Sequence, residues 1–187
     1  MNTIYGWLVG FSCIIILALV SPAVGVGDSQ FFVGTGMATG VGFMQNRMLH
    51  VSLGWNWNWM WTTIVGMTLS FVIFDFGPSI LEMIPPFNLQ MSIAVGGLFV
   101  GILQYGFLGT RSIKGGYWWI LICFVGWTSA GLIVGLVDYL HEYIPRGPIA
   151  LILNLPLMVF VSSLILRLVT GTGLIRLLKN QALGEES

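Results

Sequence analysis

Charge is what this sequence has least of. Only 7% of its 187 residues are Asp, Glu, Lys or Arg, where a soluble domain carries roughly 25%. A chain so poor in ionised groups cannot clothe a water-facing surface with them. Cysteine is almost missing too. Cys13 and Cys123 are the two present, each inside an apolar segment, and without a C-x-x-C pair or a His/Cys cluster they build neither a disulfide framework nor a zinc site. They read as small buried hydrophobes. No nucleophile, phosphate loop or redox motif appears. Gly34-Thr35-Gly36 opens like a dinucleotide fingerprint but continues Met-Ala-Thr-Gly at the start of an apolar helix, where that motif would follow a strand. The seven bases are spread over several loops and make no nucleic-acid surface. These absences argue against an enzyme and against any cofactor the sequence can signal.

What is present is apolar sequence, 56% of the chain. Continuous runs lie near Tyr5–Gly25, Phe31–Leu49, Trp59–Phe76, Leu89–Leu108, Trp118–Leu140 and Pro148–Leu168. About 20 apolar residues cross a hydrocarbon core of about 30 Å. The expected fold is therefore an all-α integral membrane bundle of about six spans, one domain over 1–187, with 169–187 as a short tail; five spans is the alternative count. Ala23-Val24-Gly25 resembles a signal-peptidase site, but no Lys or Arg precedes the first run, so that run is read as a retained span. Gly77-Pro78 and Pro85-Pro86 are expected to break the chain after the third run, with Ser79 to Ile84 as one short turn between them.

Charge placement supports six. Arg47, then Arg111 and Lys114, then Arg176 and Lys179 fall on one side, and Asp28, Asp75, Glu82, Asp138 and Glu142 on the other with Arg146. Basic loops stay cytoplasmic, which places both termini inside. Trp55, Trp57, Trp59 and Trp61 open one span, and Tyr117, Trp118 and Trp119 open another. They are expected to form an interfacial belt, since their rings are apolar and their N–H or O–H is polar.

Two stretches repeat. GVGFMQNRML followed by WNWNWMWTTIVGM matches GLFVGILQYGFL followed by GGYWWILICFVGW, with Gly42 and Gln45 falling on Gly101 and Gln104 and Trp59 on Trp118. Each unit is a helical hairpin, and both point the same way, a parallel repeat. The first and sixth runs could supply a third pair and close a pseudo-threefold ring. At these residues the chain resembles a family of small, uncharacterised multi-span membrane proteins of photosynthetic bacteria, marked by G-x3-G-x2-Q-W-x2-L-R, a short basic loop, W-W and then G-W. Gly97, Gly101, Gln104, Tyr105, Leu108, Trp118-Trp119, Gly126-Trp127 and the ending GTGLIRLL carry the resemblance. Tyr105 stands where Trp is usual, and Gly109-Thr110 intervenes before Arg111. The resemblance implies the six-span architecture and an association with photosynthetic membranes, but no activity.

Polar groups in hydrocarbon are expensive, so Gln45, Gln104 and Asn154 (the last beside Pro156) are the intramembrane candidates. They are read first as interhelical glue and second as a ligand or pore contact. Gly36/Gly40, Gly97/Gly101 and Gly131/Gly135 put glycine on one face at i and i+4, which suits close helix packing or the approach of a lipid or pigment. Asp138, His141 and Glu142 lie within one helical turn, with Arg146 beyond Pro145. A metal there would need a fourth ligand from Asp75 or Glu82. The trio is expected to be a solvated helix end and docking surface without metal. The leading function is a non-enzymatic membrane subunit packing against other membrane proteins, further copies of itself, pigments or lipids, as in a photosynthetic or respiratory complex. The alternative is a small-solute transporter or its membrane-embedded binding component, and an intramembrane enzyme ranks third.

Overall fold

The computed structural model describes residues 8, 9, 12, 16, 31–54, 57–80, 89–110, 116–141, 161–162 and 164–176. Among them there is no strand, and the protein is all-α. Four long helices follow one another: α1 (Phe31–Leu53), α2 (Asn58–Ile80), α3 (Leu89–Thr110) and α4 (Tyr117–His141). Helical residues 161–162 and 164–176 form α5. Tyr5–Gly25 lies outside the described residues except at 8, 9, 12 and 16, and so do Asn154, Pro156 and the loops carrying Arg111, Lys114 and Arg146.

Helices α1 to α4 start where the apolar runs start, to within one residue, but they end later. α2 continues through Gly77-Pro78 to Ile80, so that pair does not end the helix as expected. Proline lacks only its own N–H, and near a helix end this removes one bond, to the carbonyl four residues back. α5 likewise runs past Leu168 to 176, taking in part of what was read as a tail. At the close of α1, Gly54 adopts φ 65° and its N–H reaches the His50 carbonyl at 3.0 Å. This is a left-handed C-cap that a Cβ would strain.

Neighbouring helices run antiparallel. Gln45 meets Trp59 while Phe31 meets Asp75; Gly66 lies on Val100; Gly97 lies on Trp127; Gly126 lies on Leu166 and Thr170. Gln45 of α1 then bonds Thr170 of α5, so the contacts close the five helices into a ring. Arg47, His50 and Arg176 gather at one end. Asp75 stands at the other, where its Oδ2 accepts the Phe31 N–H at 2.6 Å. That carboxylate occupies the N-terminus of α1, satisfying one of its orphan donors at the positive end of the helix dipole.

Glycine sets how close the helices come. A Cβ added to Gly66 would lie 2.7 Å from Val100 Cα, and one on Gly101 would lie 2.8 Å from Ile120 Cα. Side chains at these positions would meet backbone. Gly97 is filled by the Trp127 side chain and Gly131 by the Gln90 backbone, while Gly135 receives the Gln90 side chain. Gly36 and Gly40 are buried.

Leu89–Thr110 and Tyr117–Leu136 are long and apolar enough to cross a membrane by length and composition, and they are the two such stretches among the described residues. α1 carries Gln45, Asn46 and Arg47 within its length, and α2 carries Asn58 and Asp75. The interior is an apolar core, with Trp59, Met67, Phe71, Ile93, Trp119 and Trp127 among its largest members, and polar groups are buried within it while large apolar side chains are also exposed. Asn46, Thr63, Ser70, Ser92, Gln104, Ser162 and Thr170 are buried. The exposed stripe of α2 is Trp61, Val65, Leu69 and Val72, and α4 exposes Leu121, Phe124, Val125, Leu132 and Leu136.

Candidate functional site: a glutamine–tryptophan spine

The buried polar groups are joined rather than scattered. Gln104, 1% exposed, sits on the α3 face that packs between α2 and α4. Its Oε1 accepts the Trp119 indole N–H at 2.8 Å, and its Nε2 donates to Thr63 Oγ1 at 2.9 Å. The Cys123 thiol, one turn after Trp119, approaches the same Oε1 at 3.5 Å. Thr63 in turn donates to the Trp59 carbonyl at 3.1 Å.

The second half repeats the first. The Trp59 indole N–H donates to Gln45 Oε1 at 3.1 Å, and Gln45 Nε2 donates to Thr170 Oγ1 at 3.2 Å. Thr170 donates to the Leu166 carbonyl at 2.7 Å. Each threonine thus spends its hydroxyl proton on the carbonyl four residues back and presents its lone pair to a glutamine. Trp119, Gln104, Thr63, Trp59, Gln45 and Thr170 make one chain of bonds through all five helices. The Trp59 and Trp119 rings lie 5.5 Å apart, and Phe107 meets Trp59 edge-on at 5.9 Å, so indole fills the space between the two glutamines.

This geometry corrects the expected repeat. The counterpart of Trp59 is Trp119, not Trp118. Trp59 follows its glutamine by 14 residues and Trp119 by 15. Trp118 is 54% exposed, whereas Trp119 is 1% exposed. The aromatic belt therefore divides: Trp57, Trp61, Tyr117 and Trp118 are exposed, while Trp59 and Trp119 belong to the interior. Sequence reasoning found both glutamines and missed their partners Thr63, Thr170 and Cys123. The signal was available in the repeat, where Thr63 and Cys123 each stand four residues after the paired tryptophan.

Asn46, beside Gln45, is buried and its Oδ1 has no hydrogen-bond partner. Among the described residues no group of His, Cys, Asp and Glu could hold a metal. Asp138 and His141 belong to α4, but their side chains and all of Glu142 lie outside the described residues. Asp75, a possible fourth ligand by sequence, accepts the Phe31 N–H with its carboxylate. Chemically the spine is neutral: it holds donors and acceptors in register and contains no acid or base. Comparison with known protein families, curated sequences and solved structures finds no match.

Proposed function

We propose that the chain is a multi-pass integral membrane protein of about six spans, a non-enzymatic subunit whose work is packing against other membrane proteins and lipids. The observation that carries this reading is the set of exposed apolar stripes around a core that also holds a neutral hydrogen-bonded spine. In water such stripes would aggregate; in lipid they are the expected surface, and interior amides and hydroxyls hold the helices where the hydrophobic effect does not. The gathering of Arg47, His50 and Arg176 at one end supports placing that end, and with it both termini, in the cytoplasm. The resemblance noted in the sequence supports a photosynthetic membrane as the setting. With its inner half filled by Trp59, Trp119 and Phe107, the ring favours a packing role over solute passage.

Purification in mild detergent tests the role. Stoichiometric partner chains or bound pigment are expected; a solitary protein that carries a polar solute would instead establish transport. Single cysteines test the orientation. An impermeant reagent added outside should label a cysteine at Asp28 and leave cysteines at Asn2, Ser112 and Ser187 untouched, and labelling at 112 from outside would overturn the span count.

A further inference from the structure

A primary amide carries an acceptor and two donors into the interior, and each calls for a partner. Asn46 is 1% exposed, and its Oδ1 is buried without one. Native interiors rarely leave such an acceptor bare, because it has given up its bonds to water for nothing. Three contacts fix its surroundings. Gly42 lies one turn earlier on the same face of α1, and a Cβ there would sit 3.1 Å from the Met60 carbonyl oxygen and from Thr63 Cβ. Gln45 accepts the Trp59 indole N–H. Phe43 packs on Trp57, with ring centroids 6.0 Å apart. Since α1 and α2 are antiparallel, Asn46, about 6 Å further along α1 than Gly42, stands beside the first turn of α2.

That turn has donors to spare. Its first bond runs from the Trp61 N–H to the Trp57 carbonyl at 3.3 Å. Among the described residues the N–H groups of Asn58 and Met60 have no acceptor. Trp57, at the N-cap position, cannot supply one from its side chain, because an indole only donates. Asn58 is exposed and Met60 half-buried. Helical N–H groups point toward the start of their own helix. The Met60 N–H therefore points away from its carbonyl beside Gly42 and toward the level of Asn46. The second hairpin lacks both halves of this arrangement. There the Trp119 N–H closes on the Gly116 carbonyl at 2.9 Å, and the counterpart of Asn46 in the repeat is Tyr105, which is 43% exposed.

We infer that Asn46 and Met60 hold a buried water between them. An orphan acceptor and an orphan donor stand on facing helices without bonding each other, and water supplies what each lacks. It donates to Asn46 Oδ1 and accepts from the Met60 N–H, the two polar partners that a buried water needs at least. Exposed Trp57 and Asn58 on the same turn bring solvent within reach of the site. The water caps α2 from across the hairpin, as a serine or aspartate N-cap would from within it. The site depends on the hairpin alone and does not rest on the membrane reading above.

An experimental density map of the full-length protein, at a resolution that shows ordered water, tests the inference. A peak is expected at hydrogen-bond distance, about 2.7–3.2 Å, from both Asn46 Oδ1 and the Met60 nitrogen. In Asn46→Leu, a replacement close in size, the peak should vanish. The ratio of folded to unfolded protein should then fall roughly tenfold, the scale of one unmet buried donor. Absence of the peak in the unmodified protein overturns the inference, as does a direct Asn46–Met60 bond or a peak that persists in Asn46→Leu. So does an Asn46→Leu protein as stable as the unmodified one or more so, because removing a bare acceptor relieves its burial cost, whereas removing the water's holder leaves the Met60 N–H unmet. Should Asn46→Leu fail to fold, the map of the unmodified protein decides alone.

Discussion

Replacing Gln104 by Leu is expected to destabilise the protein by about 2–4 kcal/mol, the largest loss of any single polar residue in the spine. Leucine is close to glutamine in size, so the effect is not chiefly a cavity. The Trp119 N–H loses its acceptor, and an unmet buried donor costs about 1–3 kcal/mol. Thr63 also loses the donor that joins α2 to α3, while keeping its bond to the Trp59 carbonyl. Gln45→Leu should cost less, since Gln45 is only half-buried. Thermal unfolding in detergent, followed by tryptophan emission, gives the ranking. The cause is separable from bulk packing by a double-mutant cycle. Trp119→Phe should cost less in the Gln104→Leu background than in the unmodified protein, because the orphan donor has already been incurred. Strict additivity would mean that the 2.8 Å bond contributes nothing.

The second large effect belongs to Gly101→Leu. The new side chain would start 2.8 Å from Ile120 Cα and 3.1 Å from the Ile120 carbonyl, so no rotamer change of a neighbour relieves it and α3 must move away from α4. Overpacking of this kind costs about 1–3 kcal/mol and sometimes more, and here the displacement also stretches the Gln104–Trp119 bond one turn along. Gly106 supplies the control on the same helix. A Cβ there meets nothing within 4 Å, so Gly106→Leu should leave the unfolding temperature unchanged or raise it slightly through better helix propensity. Equal losses at 101 and 106 would show that the close approach of Gly101 to Ile120 contributes nothing particular to that position.

How much of this was legible beforehand follows from the physics of each signal. Helix starts were readable because turn residues and apolar runs change abruptly there. Helix ends were not: Gly77-Pro78 looks like a stop, yet one missing N–H near a terminus does not unravel α2. Gln45 and Gln104 stood out because amides are rare among apolar residues. Their tryptophan partners did not, because an indole that seeks a headgroup and an indole that seeks a buried amide obey the same preference for one polar contact. Which of Trp118 and Trp119 turns inward depends on helical phase after a loop of altered length, and one residue rotates the side chain by about 100°. Thr170 was hidden for a similar reason: it meets Gln45 across 125 positions, and no local pattern reports that contact.

The central claim is that the exposed apolar stripes face lipid. Spin labels on single cysteines along α2 test it most directly, with collisions measured against oxygen, which concentrates in hydrocarbon, and against a polar nickel chelate, which stays in water. The account predicts that labels at Trp61, Val65, Leu69 and Val72 in reconstituted vesicles meet oxygen freely and the chelate hardly at all, the contrast being greatest at Val65 and Leu69. Labels at Thr63, Ser70 and Phe71, which are buried, should meet neither. Free collision with the chelate at Val65 and Leu69 would place the stripe in water and contradict the account.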